Sequence, residues 1–432
     1  MHLGRCRFLP FSAGTTLSND GVIVLLPPAD ESATYFRNKI ELIRSSSVDD
    51  DLPEIDSRSV PAELNAFEPV SEREICDILS TVPAKSCALD PIPTWLIKKL
   101  TPEIVPVICR LCNLSLQSSY LPSSQKHAIV NPRLKKPTLD SEQMSSYRPI
   151  SNLSFVSKVV ERVVAKRFMA HCDSQDLLPS RQSAYRRGHS TETAVLAVHN
   201  DLICAIDRGH VTGLVLLDLS SAFDTVDHSL LMSILQRRFG VSGAALDWFQ
   251  SYITDRSQSF RCQEISTDPQ NLACGVPQGS VLGPLKFIAY TEDVQTIFRR
   301  HLLKYMLFAD EKQVYGSDIV SKLPSLRATL SACVVDVAEW CAARRLSLNA
   351  SKTELIWFGS RHNLSKMSNL ELYITAGSDK ITPTSVVRDL GVVLDSELSM
   401  KQHVAKVASL CYYHLRRIRQ IRRRVGLEVA TQ

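Results

Sequence analysis

Asp218, Asp224 and Asp227 fall within ten positions of one another in Gly213-Leu-Val-Leu-Leu-Asp-Leu-Ser-Ser-Ala-Phe-Asp-Thr-Val-Asp-His228. The apolar run Leu214 to Leu217 predicts a strand buried on both faces that ends on Asp218. A carboxylate at the mouth of a core strand is costly unless a cation or metal neutralises it, or unless it caps the following helix. The metal reading needs a second carboxylate site. In Leu302 to Gly316 an apolar run meets Ala309-Asp310-Glu311, and Val314-Tyr315 supplies a second short strand, so a hairpin with acids at its tip is expected. With that hairpin beside the Asp218 strand, Asp218 and Asp310 face each other across a pocket able to hold two divalent cations. Magnesium takes such oxygen ligands together with substrate phosphates. Paired metals that clamp the attacking and leaving oxygens of an in-line displacement are the recurring solution for nucleotidyl transfer.

Three stretches, Asp218-Leu-Ser-Ser-Ala-Phe-Asp-Thr-Val-Asp-His228, Gly275-Val-Pro-Gln-Gly-Ser-Val-Leu-Gly-Pro-Leu285 and Phe308-Ala-Asp-Glu311, follow one another in the order and spacing of motifs in the reverse transcriptases of non-LTR (LINE-type) retrotransposons. The chain resembles that family from about Asp90 to Gln432. The resemblance implies an α+β protein with the right-hand polymerase fold: fingers from about Asp90 to Val211, an antiparallel-sheet palm from about Thr212 to Asp395, and the helical start of a thumb. It implies an RNA-directed DNA polymerase, a nucleotidyltransferase that adds dNTPs to a DNA primer 3′-hydroxyl on an RNA template. Asp218, Asp310 and Glu311 would hold Mg2+ or Mn2+. The alternative is a relic that binds nucleic acid without catalysis. An RNA polymerase is disfavoured by Phe223 and by the block around Gln278.

The same resemblance assigns roles to further residues. Lys135, Lys136 and Arg148 stand where cations reach the triphosphate of the incoming nucleotide; a solvated basic turn is the plain alternative for the lysines. Phe223, five residues past Asp218, fills the space of a ribose 2′-hydroxyl and so favours deoxynucleotides, or else is core. Gln278 packs on the nascent pair or the incoming sugar, and Gly275 and Gly279 let the backbone approach closely. Arg186 and His189, just before a helix start, suit a template backbone. Lys352 stands where the family has a lysine that protonates the departing pyrophosphate, with a surface lysine as the alternative. Val387 to Asp395 resembles the turn that grips the primer end. A densely basic helix with Arg416, Arg419 and Arg423 suits a nucleic-acid backbone.

Departures from the family are also legible. Glu311 replaces the second aspartate of Tyr-Ala-Asp-Asp and Phe308 its tyrosine, while Lys286 occupies an apolar helix position. Nothing before residue 75 resembles an endonuclease, and at Gln432 a thumb is only begun. Together these departures suggest a copy freed from selection for transposition.

The elements that must position these groups read in sequence as follows. Residues 1–75 form an N-terminal segment in which Met1 to Leu26 lacks period and Ser45 to Glu74, rich in Asp, Glu, Ser and Pro, reads as a solvated linker. Residues 76–125 are a helical region before the fingers, opened by a capping box at Ser71-x-x-Glu74 and carrying Trp95 as a core residue. The reverse transcriptase domain spans 126–395, and 396–432 is the basic helix of a truncated thumb. Within the domain, Phe155, Val159, Val160, Val163, Val164 and Phe168 predict one buried helical stripe.

Composition fits this plan. The 432 residues are 44% hydrophobic, enough for a sizeable core, and a net charge of +5 with a pI near 8.5 accommodates an acidic partner without demanding one. Twelve scattered cysteines and no cleavable signal peptide suggest reduced thiols in the nucleus or cytoplasm, and the one CxxC, Cys109 to Cys112, lacks a second zinc-ligand pair. No apolar run approaches the roughly 18 residues of a membrane span.

Overall fold

The computed structural model describes residues 15–17, 23–25, 27–45, 53–83, 87–377 and 379–430. It divides into two compact units. One comprises Met1–Pro179, Ser221–Glu292 and Cys341–Ser347; the other comprises Ser180–Ser220, Asp293–Trp340 and Leu348–Gln432. Among the described residues no helix is long and apolar enough to cross a membrane.

The second unit is built on the strand Val211–Leu217, whose residues are nearly all buried. On one side it pairs antiparallel with Glu311–Asp318, which forms a hairpin with Lys304–Phe308. On the other it pairs antiparallel with Glu354–Phe358, beside which Pro383–Thr384 runs parallel. The expected hairpin is therefore present and lies beside the Asp218 strand. One face of the sheet is covered by the helix Thr191–Asp207, whose Ala194, Val198 and Leu202 pack with Leu214, Met306, Tyr315 and Ile356. Asp201 ties that helix to the sheet, accepting from Tyr315 Oη at 2.7 Å, Lys304 Nζ at 2.8 Å and Arg181 at 3.1 Å. These three donors hold its carboxyl below the usual carboxylate range against the effect of burial.

The first unit contains a second sheet, in which His127–Leu134 pairs antiparallel with Tyr147–Asn152 and parallel with Ser257–Cys262. The helix Phe155–Ser174 buries all six residues of its predicted stripe. Its Glu161 is also buried and accepts from the backbone N–H of Val281 at 2.6 Å and Leu282 at 3.0 Å, donors at the start of the helix Leu282–Tyr290 that have no partner within the helix.

Several expectations need correction. The N-terminal segment contains the helix Ala29–Ser45, whose Phe36 stacks on Phe260 with ring centroids 5.9 Å apart. The stretch read as solvated linker buries Ile55, Phe67 and Val70; isolated apolar residues among acids have no period, yet each finds its own pocket. Phe67 lies edge-on to Trp248 and Phe249. Only half of the capping box forms: Ser71 accepts from Glu74 N, but the Glu74 carboxylate turns to Arg167, which is 3.2 Å away. Trp95 is 56% exposed rather than core, because the helix Thr94–Lys99 presents Thr94 and Ile97 inward instead. Cys109 and Cys112 are buried, and burial pushes the Cys112 thiol up to about 12.

Lys286 is the costliest of these residues. It is 1% exposed, its ammonium lies 3.6 Å from the Tyr252 ring centroid, and among the described residues its Nζ has no hydrogen-bond acceptor. Burial first, and the nearby Arg256 charge second, push it well below the ordinary ammonium range. Between its folded and unfolded values the unfolded chain binds the extra proton, so stability rises with pH across that window up to about 10.4. Lys286→Met should raise the stability of the chain by about 1 kcal/mol or more at neutral pH and flatten the rise at alkaline pH. Chemical denaturation at several pH values checks both; a destabilised variant would show that the amine is better accommodated than burial implies.

Candidate active site

Cross-strand register carries one face of the second unit's sheet from apolar to charged. Ile356, Leu214 and Tyr315 share one row, and Glu354, Leu216 and Gln313 the next. One step past the final ladder pair, Lys312 with Leu217, the same alternation sets Glu311 beside Asp218. Lys352, in the short turn Ala350–Lys352 before the strand Glu354–Phe358, reaches Asp218 from the other side with Nζ 2.7 Å from Oδ2. The backbone is pinned there too, since Asn349 N donates to Asp218 O at 2.9 Å. Asp218, Glu311 and Lys352 line a cavity of about 370 Å3 together with Gln313, Arg388 and Asp389.

Asp310 occupies the hairpin turn. The preceding Ala309 has φ +54, in the left-handed region that favours glycine, so the turn holds its acids under backbone strain. Lys312 Nζ donates to Ala309 O at 3.0 Å. Burial, then the charges of Asp310 and Asp218, raise the Glu311 carboxyl above its usual range; Arg388 and Lys352 offset this in part. The Asp310 charge also raises the Tyr185 phenol, after burial. The three predicted carboxylates thus lie near one another, with Asp218 and Glu311 on the cavity wall.

The donor set fits magnesium chemically: it is all oxygen and its net charge is negative. Among the described residues no group of three or more His, Cys, Asp or Glu side chains is gathered tightly enough to form a complete cage. Magnesium does not need one, because it binds through one or two carboxylates and completes its shell with water and substrate phosphate.

Asp389 was not foreseen. It lies in the strand Val386–Asp389, is 2% exposed, accepts from Gln313 Nε2 through Oδ1, and among the described residues leaves Oδ2 without a partner. Burial and the Glu311 charge push its carboxyl up to about 7. The only sequence signal was its place in the Val387 to Asp395 turn; a single buried aspartate there has no periodic signature.

The remaining predicted residues divide between the units. In the first unit, Gln278 Nε2 lies 2.8 Å from each oxygen of Asp224. Gly275 has φ +86 and a Cβ there would meet Asp224 O at 2.7 Å, while Gly279 has φ +132 and a Cβ would meet Ser151 O at 2.3 Å, so both positions require glycine. Phe223 is half-buried and stacks on Phe287 with centroids 4.8 Å apart. Asp227 caps the helix His228–Phe239 and pairs with Arg44 at 2.9 Å. Arg148 is exposed on Tyr147–Asn152, opposite Arg133. Lys135 Nζ donates to Ser145 O at 2.6 Å, and Lys136 follows it in the same exposed turn. In the second unit, Arg186 and His189 precede the helix Thr191–Asp207, whose first turn is closed by reciprocal Ser190 and Thr193 bonds. Arg416 and Arg419 are exposed on the helix Lys401–Ala430, and the side chain of Arg423 lies outside the described residues.

Comparison with known proteins agrees with this geometry. Residues 134–394 match the family model for reverse transcriptase (RNA-dependent DNA polymerase). The chain is 27% identical over 402 residues to "Probable RNA-directed DNA polymerase from transposon BS" of Drosophila melanogaster, covering 90% of this chain and 43% of that protein. It is 27% identical to the corresponding X-element protein of Drosophila melanogaster, covering 80% of this chain and 37% of that protein. It is 24% identical to the mobile element jockey polymerase of Drosophila funebris, covering 79% and 37%. The chain therefore spans about two fifths of the length of these curated relatives. The α+β architecture is that of the right-hand polymerase fold, and the relatives are non-LTR elements. The chain belongs to the reverse transcriptase family, of the LINE type.

Proposed function

We propose that the chain is the RNA-directed DNA polymerase of a non-LTR retrotransposon and extends a DNA primer by dNTP addition on an RNA template. The observation that carries the reading is the register that sets Asp218 beside Glu311, with Lys352 on Asp218, at the mouth of a cavity. In the reaction the primer 3′-hydroxyl attacks the α-phosphorus of the nucleotide and pyrophosphate leaves. Two magnesium or manganese ions bound by Asp218, Asp310 and Glu311 would supply activation of the attacking hydroxyl and neutralisation of the triphosphate. Lys352 keeps Asp218 paired until substrate arrives, then gives a proton to the leaving pyrophosphate. Lys135, Lys136 and Arg148 bind the triphosphate. Phe223 excludes a 2′-hydroxyl, and Gln278 contacts the incoming sugar. Gly275, Gly279, Arg186, His189 and the arginines of the Lys401–Ala430 helix contact template and primer.

A second reading, a nucleic-acid-binding relic, is favoured by one observation. The longer Glu311 stands where the family has aspartate, and its carboxyl is raised by its neighbours.

Primer extension on poly(rA)/oligo(dT) with dTTP and magnesium or manganese separates the two. Asp218→Asn should reduce extension by about 10³-fold or more while leaving RNA binding intact. Glu311→Asp, which withdraws the carboxylate by one methylene, should raise extension several-fold. Silence in the parent and in Glu311→Asp, with RNA still bound, would favour the relic. Paired Arg416→Gln and Arg419→Gln should weaken RNA binding across sequences and reduce the slope of log affinity against log salt by about 1.4 for single strands; an unchanged slope would remove these arginines from the interface.

A further inference from the structure

The stretch from Ser221 to Asp227 belongs to no helix or strand, and Ser221 opens it at φ +48, in the left-handed region. Its shape therefore depends on the groups around it. The glycine loop supplies two backbone bonds: Val276 N donates to Phe223 O at 2.8 Å, and Gly275 N donates to Val226 O at 2.7 Å. The helix Ala29–Ser45 supplies a further tie. From its last turn Arg44 donates through Nη2 to Asp227 Oδ2 at 2.9 Å and through Nη1 to Thr225 O at 3.5 Å. Arg345 Nε lies 3.6 Å from the same Asp227 oxygen. Burial raises the Asp227 carboxyl, but the bonds from Leu230 N and Arg44 and the charges of Arg44 and Arg345 bring it below the usual carboxylate range, so the pair is ionic.

The same helix lies against the strand Tyr147–Asn152. Its Ala29, Ala33 and Phe36 pack with Tyr147, and Arg148 is the next residue along that strand. Phe36 and Ile40 also line a cavity of only about 40 Å3 whose wall includes Asp224 and Gly275. One helix thus backs both stretches that the reading above, on which this inference rests, assigns to the incoming nucleotide. A side chain that excludes a hydroxyl by contact alone does so only while it is held in place, because contact energies fall away over a fraction of an ångström. We propose that the helix Ala29–Ser45 is part of the nucleotide site and that Arg44 is a positioning residue, whose guanidinium holds the segment carrying Phe223 so that ribonucleotides are excluded.

Arg44 acts at a remove. It bonds to Thr225 and Asp227, two and four residues past Phe223, and touches no substrate. Without its guanidinium the segment keeps its bonds to the glycine loop but loses its tie to the helix, and Phe223 gains room to retreat. The consequence is specific to the sugar, since the space vacated is that of the 2′-hydroxyl. Lysine replaces the charge beside Asp227 but not the fork that spans two acceptors.

The test is single-nucleotide insertion of dUTP against UTP, which differ only in the 2′-hydroxyl, on poly(rA)/oligo(dT), read as the ratio of kcat/KM values. Arg44→Met, which keeps the apolar stem, should lower the preference for dUTP by about tenfold, the worth of one charge-assisted hydrogen bond. Arg44→Lys should recover part of that loss. The control is Arg58→Met. Arg58 donates to Leu177 O and Asp176 O, both at 2.8 Å, and its loss should lower stability without changing the ratio. A ratio unchanged in Arg44→Met, or lowered equally in Arg58→Met, overturns the proposal, because a merely structural arginine would alter stability and leave discrimination alone. A parent that does not extend, or does not discriminate, counts against the polymerase reading or the role of Phe223, and the tie itself is then decided without turnover. By hydrogen–deuterium exchange of the full chain, peptides covering 221–227 and 274–278 should lose protection in Arg44→Met and keep it in Arg58→Met. Equal protection in the parent and in Arg44→Met would contradict the tie.

Discussion

The antiparallel register around Val211–Leu217 is the constraint on which the second unit depends. Because side chains alternate with period two, a slip of one residue in either neighbouring strand would turn Glu311 or the Glu354–Phe358 row to the opposite face. The register is held from the apolar end, where Ile356, Leu214 and Tyr315 pack beneath the helix Thr191–Asp207. Asp201 adds three directional bonds at the same level. Burial at one end of the face therefore sets the position of the charges at the other. Burial first, and then like charges placed together in this way, raise the Glu311 and Asp389 carboxyls. That stored repulsion is what a divalent cation and a polyanionic substrate would relieve.

The first unit solves a different problem, the close approach of backbone to side chain. Its glycine loop carries no charge, yet two of its glycines admit no Cβ, and their carbonyl neighbours belong to Asp224 and Ser151. The loop is thus fitted to the segment carrying Phe223 and Asp224 on one side and to Tyr147–Asn152 on the other. Gln278 inherits its orientation from that fit.

The sequence made the central strand, the hairpin and the Gly275 to Leu285 loop legible because each combines a local pattern with punctuation: an apolar run ended by an acid, a tight acidic turn, glycines and prolines at fixed offsets. It also made the Phe155–Ser174 stripe legible through its period. It did not reveal the helix Ala29–Ser45, where the signal is weak and the partner, Phe260, is more than two hundred residues away. Nor did it reveal Asp389 or the Asp224 contact, since long-range pairing leaves no trace in local spacing. Glu74 shows the same limit in reverse: its capping motif was real, and a tertiary partner, Arg167, took its side chain.

The central claim, that Asp218 and the hairpin acids together hold a divalent cation, is tested most directly by iron-directed cleavage. Iron(II) bound at carboxylate sites generates radicals with ascorbate and peroxide that cut the nearby backbone. The account predicts cuts clustered near Asp218 and near Ala309 to Glu311, suppressed by excess magnesium and by Asp218→Asn. Cleavage absent from both segments, or indifferent to Asp218→Asn, would contradict it.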